Sequence, residues 1–362
     1  MLRKLFVFLL LLLPNLSFAE VHIALVVPLS GPNRLWGNEL YRGAEIAVNE
    51  INAAGGLLKQ KIKLNMVDDA CSANLALSTA QMLSIKKEDK PVLVIGPYCS
   101  EGLNDIAKLY ASSKIFQIVP AFLNSNEAKQ NYGGLIKLFG SKEQAAKDIF
   151  EFYNERFNPL KVALIKSEPD FSLEESIVDI FKNHGKANLI KTYNLEDYTS
   201  LDDLVETLNR DEKQVVLTFN KPRHSAKIIR KFKTLKEDAV FITSRYIADE
   251  DFFINAEDYL DTTYFMALPE LENKPEMAKN IVNLRLRGIE FKGLNIYGYT
   301  AVKMWSELVE KNKTFSYDKL TKNLKKNGFK TSWNETFFNN GNMINPLKYT
   351  FYKRQENEYI LE

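Results

Sequence analysis

Between Val21 and Asp69 the apolar positions of this 362-residue chain change their period twice. Leu25 to Leu29 form an unbroken apolar run of strand length. Ser30, Gly31 and Pro32 break it, and Leu40, Ala44, Ala47, Val48 and Ile51 then recur at the spacing of one helix face. Gly55 and Gly56 stop that helix, and KIKLNMVDD follows as a second strand. The alternation continues with short connections. VHIALVVPL, KIKLNMVDD, PVLVIGP and IFQIVPA are predicted as the strands of one sheet, with helices near residues 37–54, 73–87 and 100–112. After Gly140 a second series runs helix, KVALIKS, helix, ANLIKTY, helix, QVVLTFN, helix, AVFITS. Such an order predicts an α/β protein with two doubly wound parallel sheets. Thr262 to Leu268 adds an extended run, helical patterns fill roughly 275–288, 295–311 and 316–327, and the tail from Asn334 reads as antiparallel strands.

Charge narrows the partners. The 48 basic and 46 acidic residues are interspersed, which predicts no nucleic-acid partner. The two basic clusters, Lys227 to Lys236 and Lys319 to Lys326, sit at helical spacing and read as solvated helix faces. Residues 1–19 read as a secretory signal: Arg3 and Lys4, an apolar run from Leu5 to Leu13, then Ser17-Phe18-Ala19, with cleavage expected after Ala19. That run falls well short of the roughly 20 residues a membrane span needs. Glu20, not a cysteine, follows the cut, so a free periplasmic protein is expected rather than a lipid-tethered one. Only two cysteines occur, Cys71 and Cys99, each just after a predicted strand. An even pair in an exported chain points to one disulfide; two free thiols or half of a metal site are the other readings.

The SGP turn, the Trp36-Gly37 pair, the Ile51-Asn52-x-x-Gly55-Gly56 helix end and the acidic strand end at Asp68-Asp69 resemble the first crossover of the branched-chain amino acid binding family of ABC transporters. These are type I periplasmic solute-binding proteins. The resemblance implies two α/β lobes joined by three crossovers near residues 139, 269 and 332. Lobe 1 would then be 20–138 plus 270–332, and lobe 2 139–269 plus 333–362. It also implies the Cys71–Cys99 bridge and a ligand cleft between the lobes.

In open α/β sheets ligands bind outside the carboxyl ends of strands. The candidates are therefore the residues just after strands, with Tyr98 and Glu101 among them. Ser100 reads as the cap of a helix whose apolar positions are Leu103, Ile106, Ala107 and Tyr110, and a helix start attracts a carboxylate. The resemblance gives the serine beside the cysteine the same role, with an ordinary cap as the alternative. Trp36 matches an aromatic ligand-contacting position of the family, or else anchors a lobe surface. Other positions depart from the family. After Pro120 the chain reads Ala121-Phe122-Leu123, without the usual threonine hydroxyl. The family's ammonium-binding acid aligns with Arg245, and its lobe 2 tyrosines fall on Phe171 and Asn220. A guanidinium suits bidentate capture of a carboxylate, so the preference moves to an organic acid, while Glu101 keeps an amino acid open.

The three histidines, His22, His184 and His224, show neither metal-ligand spacing nor a nucleophile elbow, and SGPNRLWG lacks the glycines and lysine of a phosphate loop. No catalytic residue, metal or cofactor is expected. The resemblance implies capture of a carboxylate-bearing solute or amino acid and delivery to an inner-membrane ABC permease with its ATPase subunits. The alternative is a ligand-sensing protein of the same fold.

Overall fold

The computed structural model describes residues 20–99, 102–121, 132–138, 141–166, 173–210, 214–220, 222–236, 238–244, 250–256, 259–268, 275–286, 293–330, 337–339, 342–343, 348–355 and 358–362. The chain opens with β1 (Glu20–Val27), α1 (Arg34–Ala53), β2 (Lys61–Asp68), α2 (Ala73–Ile85), β3 (Leu93–Ile95), α3 (Leu103–Ser112), β4 (Phe116–Val119) and β5 (Leu135–Lys137). The five strands are all parallel, in the order β2-β1-β3-β4-β5. On one face Ala24, Val26 and Val94 pack with Ala76, Ala80 and Leu83 of α2 and Ile106 and Tyr110 of α3. Strand residues of the opposite parity, Ile23, Leu25 and Val27, are buried as well. Both faces are therefore covered, which is why β1 reads as a continuous apolar run rather than an alternating one.

The second series begins with α4 (Lys142–Arg156), β6 (Lys161–Lys166), α5 (Leu173–Asn183), β7 (Ile190–Asn194), α6 (Leu201–Asn209), β8 (Gln214–Thr218), α7 (Pro222–Lys233), β9 (Val240–Ser244), α8 (Glu250–Ala256), β10 (Thr263–Ala267) and α9 (Pro275–Leu286). Strand parity again sorts two cores. Ala163, Ile165, Val216, Phe241 and Phe265 pack with residues of α6, α7 and α8. Val162, Leu164, Val215, Leu217 and Ile242 pack with Ile149 and Tyr153 of α4 and Ile177 and Phe181 of α5.

There follow α10 (Leu294–Asn312), α11 (Tyr317–Asn327), a small antiparallel sheet of β11 (Phe329–Lys330), β12 (Phe337–Asn339) and β13 (Asn342–Met343), and finally β14 (Thr350–Gln355) and β15 (Glu358–Leu361). The second sheet has the order β15-β14-β10-β9-β8-β6-β7, with β14 antiparallel to β10 and β15 antiparallel to β14. The expected tail strands are present. Against the sequence reading the structure adds β5, α8 and β11.

Two compact units result. One comprises Met1–Ala121, Asn131–Leu138 and Leu294–Met343, and the other Phe122–Gln130, Phe139–Gly293 and Ile344–Glu362. The units change at Ala121/Phe122, Gln130/Asn131, Leu138/Phe139, Gly293/Leu294 and Met343/Ile344, whereas the resemblance implied crossings near 139, 269 and 332. Within the first unit α1 and α10 cross with their backbones nearly touching. A Cβ on Gly43 would lie 1.7 Å from the Asn295 carbonyl oxygen, and one on Gly298 would lie 2.0 Å from that of Leu40. Only glycine fits either place.

Candidate functional site

The carboxyl ends of β1, β3 and β4, which neighbour one another in the sheet, carry three of the expected site residues. Trp36 lies in the first turn of α1, half-buried; Tyr98 follows β3, half-buried; Ala121 follows β4, fully buried. The loop after β1 is fastened to the end of β2. Asp68 accepts from the backbone N–H of Leu29 and of Ala70, each at 2.8 Å. The Ser30 hydroxyl, with those N–H groups, holds the Asp68 carboxyl below the ordinary carboxylate range.

The turn after β3 is held more tightly. Gly96 has φ +123°, and a Cβ there would stand 1.9 Å from the Val26 carbonyl oxygen. Its N–H donates to the Ile118 carbonyl at 2.8 Å, and its own carbonyl accepts from the buried Gln117 amide at 2.9 Å. Tyr98 therefore projects from a turn pinned on both sides. Burial, with the Glu39 carboxylate adding, raises the Tyr98 phenol, so it is present as a donor hydroxyl. The Cys71–Cys99 disulfide, Cα–Cα 5.4 Å, ties this turn to the loop after β2. Next to it Asp69 is buried; its Oδ1 accepts from the Cys71 N–H at 3.0 Å, and burial raises its carboxyl.

One expectation is corrected here. The N-cap of α3 is Gly102, left-handed at φ +74°, whose carbonyl accepts from the Ile106 N–H at 3.3 Å; it makes no side-chain cap. The helix thus takes its N-cap at Gly102 and not at Ser100, with glycine supplying the left-handed turn into it. Ser100 and Glu101 themselves lie outside the described residues, as do Phe122, Leu123, Phe171 and Arg245.

In the second unit Asn220 ends the segment after β8 and is buried. Its amide donates to the Thr218 hydroxyl at 2.9 Å and to the Ile165 carbonyl at 3.4 Å. The Thr218 and Ser225 hydroxyls lie 3.2 Å apart, and the Thr243 hydroxyl donates to the Thr218 carbonyl at 2.6 Å. Asn220 is thus part of a polar network that links the carboxyl ends of β6, β8 and β9 to the first turn of α7.

The sequence reading missed two titratable groups at strand ends. Lys137, the last residue of β5, is buried, and burial lowers its ammonium to about 8. Glu174, in the first turn of α5 after β6, is buried too, and burial pushes its carboxyl up to about 7 against the pull of Lys166 and Lys142. Neither was findable, since β5 is three residues long and an acid in a first helical turn is ordinary. Among the described residues no group of three metal-ligating side chains comes together, and no helix is long and apolar enough to cross a membrane.

Two α/β units with polar side chains gathered at the carboxyl ends of their parallel strands have the architecture of a ligand-binding doubly wound fold. The chain belongs to the periplasmic binding protein family, whose profile matches residues 20–355, and the family places it in the periplasm. It is 23% identical over 321 residues to the Leu/Ile/Val-binding protein homolog 1 of Brucella suis, covering 87% of this chain and 85% of the relative. Its fold is that of the branched-chain amino acid transporter substrate-binding protein LivJ of Streptococcus pneumoniae, solved with isoleucine: TM-score 0.73, 18% identity, 95% of this chain and 100% of the other. A solute-binding protein of an ABC transporter from R. palustris, solved with 4-hydroxybenzoate, matches at TM-score 0.75 and 13% identity, over 95% of each chain.

Proposed function

We propose that this protein is the substrate-binding component of an ABC importer, and that its solute is a small molecule with a carboxylate and no required free α-amino group. It hands the solute to an inner-membrane permease with its ATPase subunits. The signal at residues 1–19 is removed after Ala19. The observation that carries the reading is the placement of Trp36, Tyr98 and Ala121 at the carboxyl ends of three adjacent strands, in a chain of this family. Ser100, Glu101, Phe122, Leu123, Phe171, Asn220 and Arg245 complete the proposed contacts.

Solute chemistry follows from Arg245, which stands where the sequence resemblance puts an acid. A guanidinium would meet an ammonium with repulsion and a carboxylate with paired hydrogen bonds. The neighbour holding 4-hydroxybenzoate, an acid without an ammonium, supports the view that the fold accepts such solutes. The Leu/Ile/Val name of the Brucella relative keeps amino acids as the comparison to run.

A calorimetric screen of organic acids against leucine, isoleucine and valine tests this. An acid is expected to bind, and Arg245→Ala should weaken it by about 2 to 5 kcal/mol, since the ligand charge loses its partner. Tight leucine or isoleucine binding, undiminished in the Arg245→Ala variant, would sink the reading.

A further inference from the structure

The four lysines on the outer face of α11 are not used by anything described so far. The helix itself is fixed on its inner side: Leu320 and Leu324 are buried, and the Tyr317 hydroxyl donates to the Gly133 carbonyl. Asn323 bridges Asn312 and Asn327, and Asp318 pairs with Lys114 at 2.7 Å. That pair takes up the one acid of the helix. Lys319, Lys322, Lys325 and Lys326 are exposed, and among the described residues they have no ion pair or hydrogen bond.

Lys319, Lys322 and Lys326 follow one another at three and four residues, so they form one row, and like charges at that spacing repel. The helix dipole accounts for Lys325 and Lys326, which lie in the last turn, but not for Lys319 and Lys322. A rigid helix that carries an unpaired positive row is complementary to an anionic surface.

The row is lysine only. Protein interfaces are depleted in lysine and enriched in arginine and aromatic residues, and among the described residues of α11 none of the latter is exposed with the row. A lysine ammonium is a hydrated point charge with no fixed fork geometry, which suits a layer of mobile headgroups. We propose that the lysine face of α11 docks the protein on the anionic phospholipid surface of the membrane that bounds its compartment. The docking is electrostatic, reversible and independent of solute.

The probe is flotation of the full mature chain with vesicles of equal parts phosphatidylglycerol and phosphatidylcholine, at low and at physiological salt, against pure phosphatidylcholine. The chain should float only with the anionic vesicles and release as salt rises. The triple substitution K319E/K322E/K326E should lower partition by on the order of 100-fold. The triple K319Q/K322Q/K326Q, which reverses no charge and leaves the buried face intact, should lower it as well. The control is K59E/K87E/K182E, three exposed lysines far apart in the chain that also lack partners among the described residues but form no row. It changes net charge by the same amount and should leave partition within a few-fold. Equal losses in both charge-reversed triples would show that net charge and not this row governs binding, and would overturn the proposal. Failure of the unaltered chain to bind the anionic vesicles at low salt would overturn it too, leaving an acidic protein face as the counterpart.

Discussion

Glu174 shows how one side chain sets a property of the whole fold. Its carboxyl is buried, and Oε2 has no hydrogen-bond partner among the described residues. Burial raises it from 4.5 to about 7, with Lys166 and Lys142 opposing and Glu175 adding. Across that interval the folded protein holds a proton that the unfolded chain has lost. Stability is therefore full below the unfolded value, falls as pH rises toward 7, and is flat beyond. Glu174→Gln imitates the protonated acid at every pH. It should match the parent near pH 4 and exceed it above pH 7 by on the order of 2 to 3 kcal/mol in urea unfolding. Parallel pH profiles for the two proteins would refute this. None of it was legible in the sequence, where Glu174 is one acid at a helix start. The cysteine pair was legible, because two residues in matching places after parallel strands leave few arrangements. The cap at Ser100 was misread because serine is the stronger cap by type, while the local backbone makes Gly102 the left-handed entrant.

The same contrast separates elements by length. Helices such as α1 and α10, and strands with long apolar runs such as β1 and β6, announced themselves by period. β5 offers three residues, and α8 seven with little periodicity, so neither stood out. Sequence period also marks which face of a helix is apolar without marking what it meets. The crossing of α1 on α10 rests on Gly43 and Gly298, whose missing side chains let the backbones approach. In an isolated helix Gly298→Ala would add up to about 1 kcal/mol of helix propensity. Here its methyl would collide with the Leu40 carbonyl, a backbone atom that cannot swing aside. Net destabilisation of about 1 to 3 kcal/mol is expected from overpacking, seen as a lowered thermal midpoint. A midpoint raised by the substitution would mean that the crossing is looser than described.

At the scale of the molecule the α/β class and the doubly wound order were legible, because alternation of period survives any tertiary detail. Which segments share a unit was not, since that depends on contacts far apart in sequence. One such contact joins Tyr264–Ala267 of β10 to Thr350–Lys353 of β14, while Tyr349, Phe351 and Tyr352 seal the two cores. Removal of residues 348–362 should leave the β10 edge bare and the cores open, giving oligomers on size exclusion that grow with concentration. A truncated chain that stays monomeric and folded would contradict that. Because the chain is delivered from its amino end, the partner of β10 arrives after β10 itself. For that interval a newly made chain presents a strand edge that its own late-arriving segment or a stranger can occupy. Holding the chain unpaired until Thr350 has emerged therefore becomes a task for chaperones, one that the order of segments imposes whatever the solute.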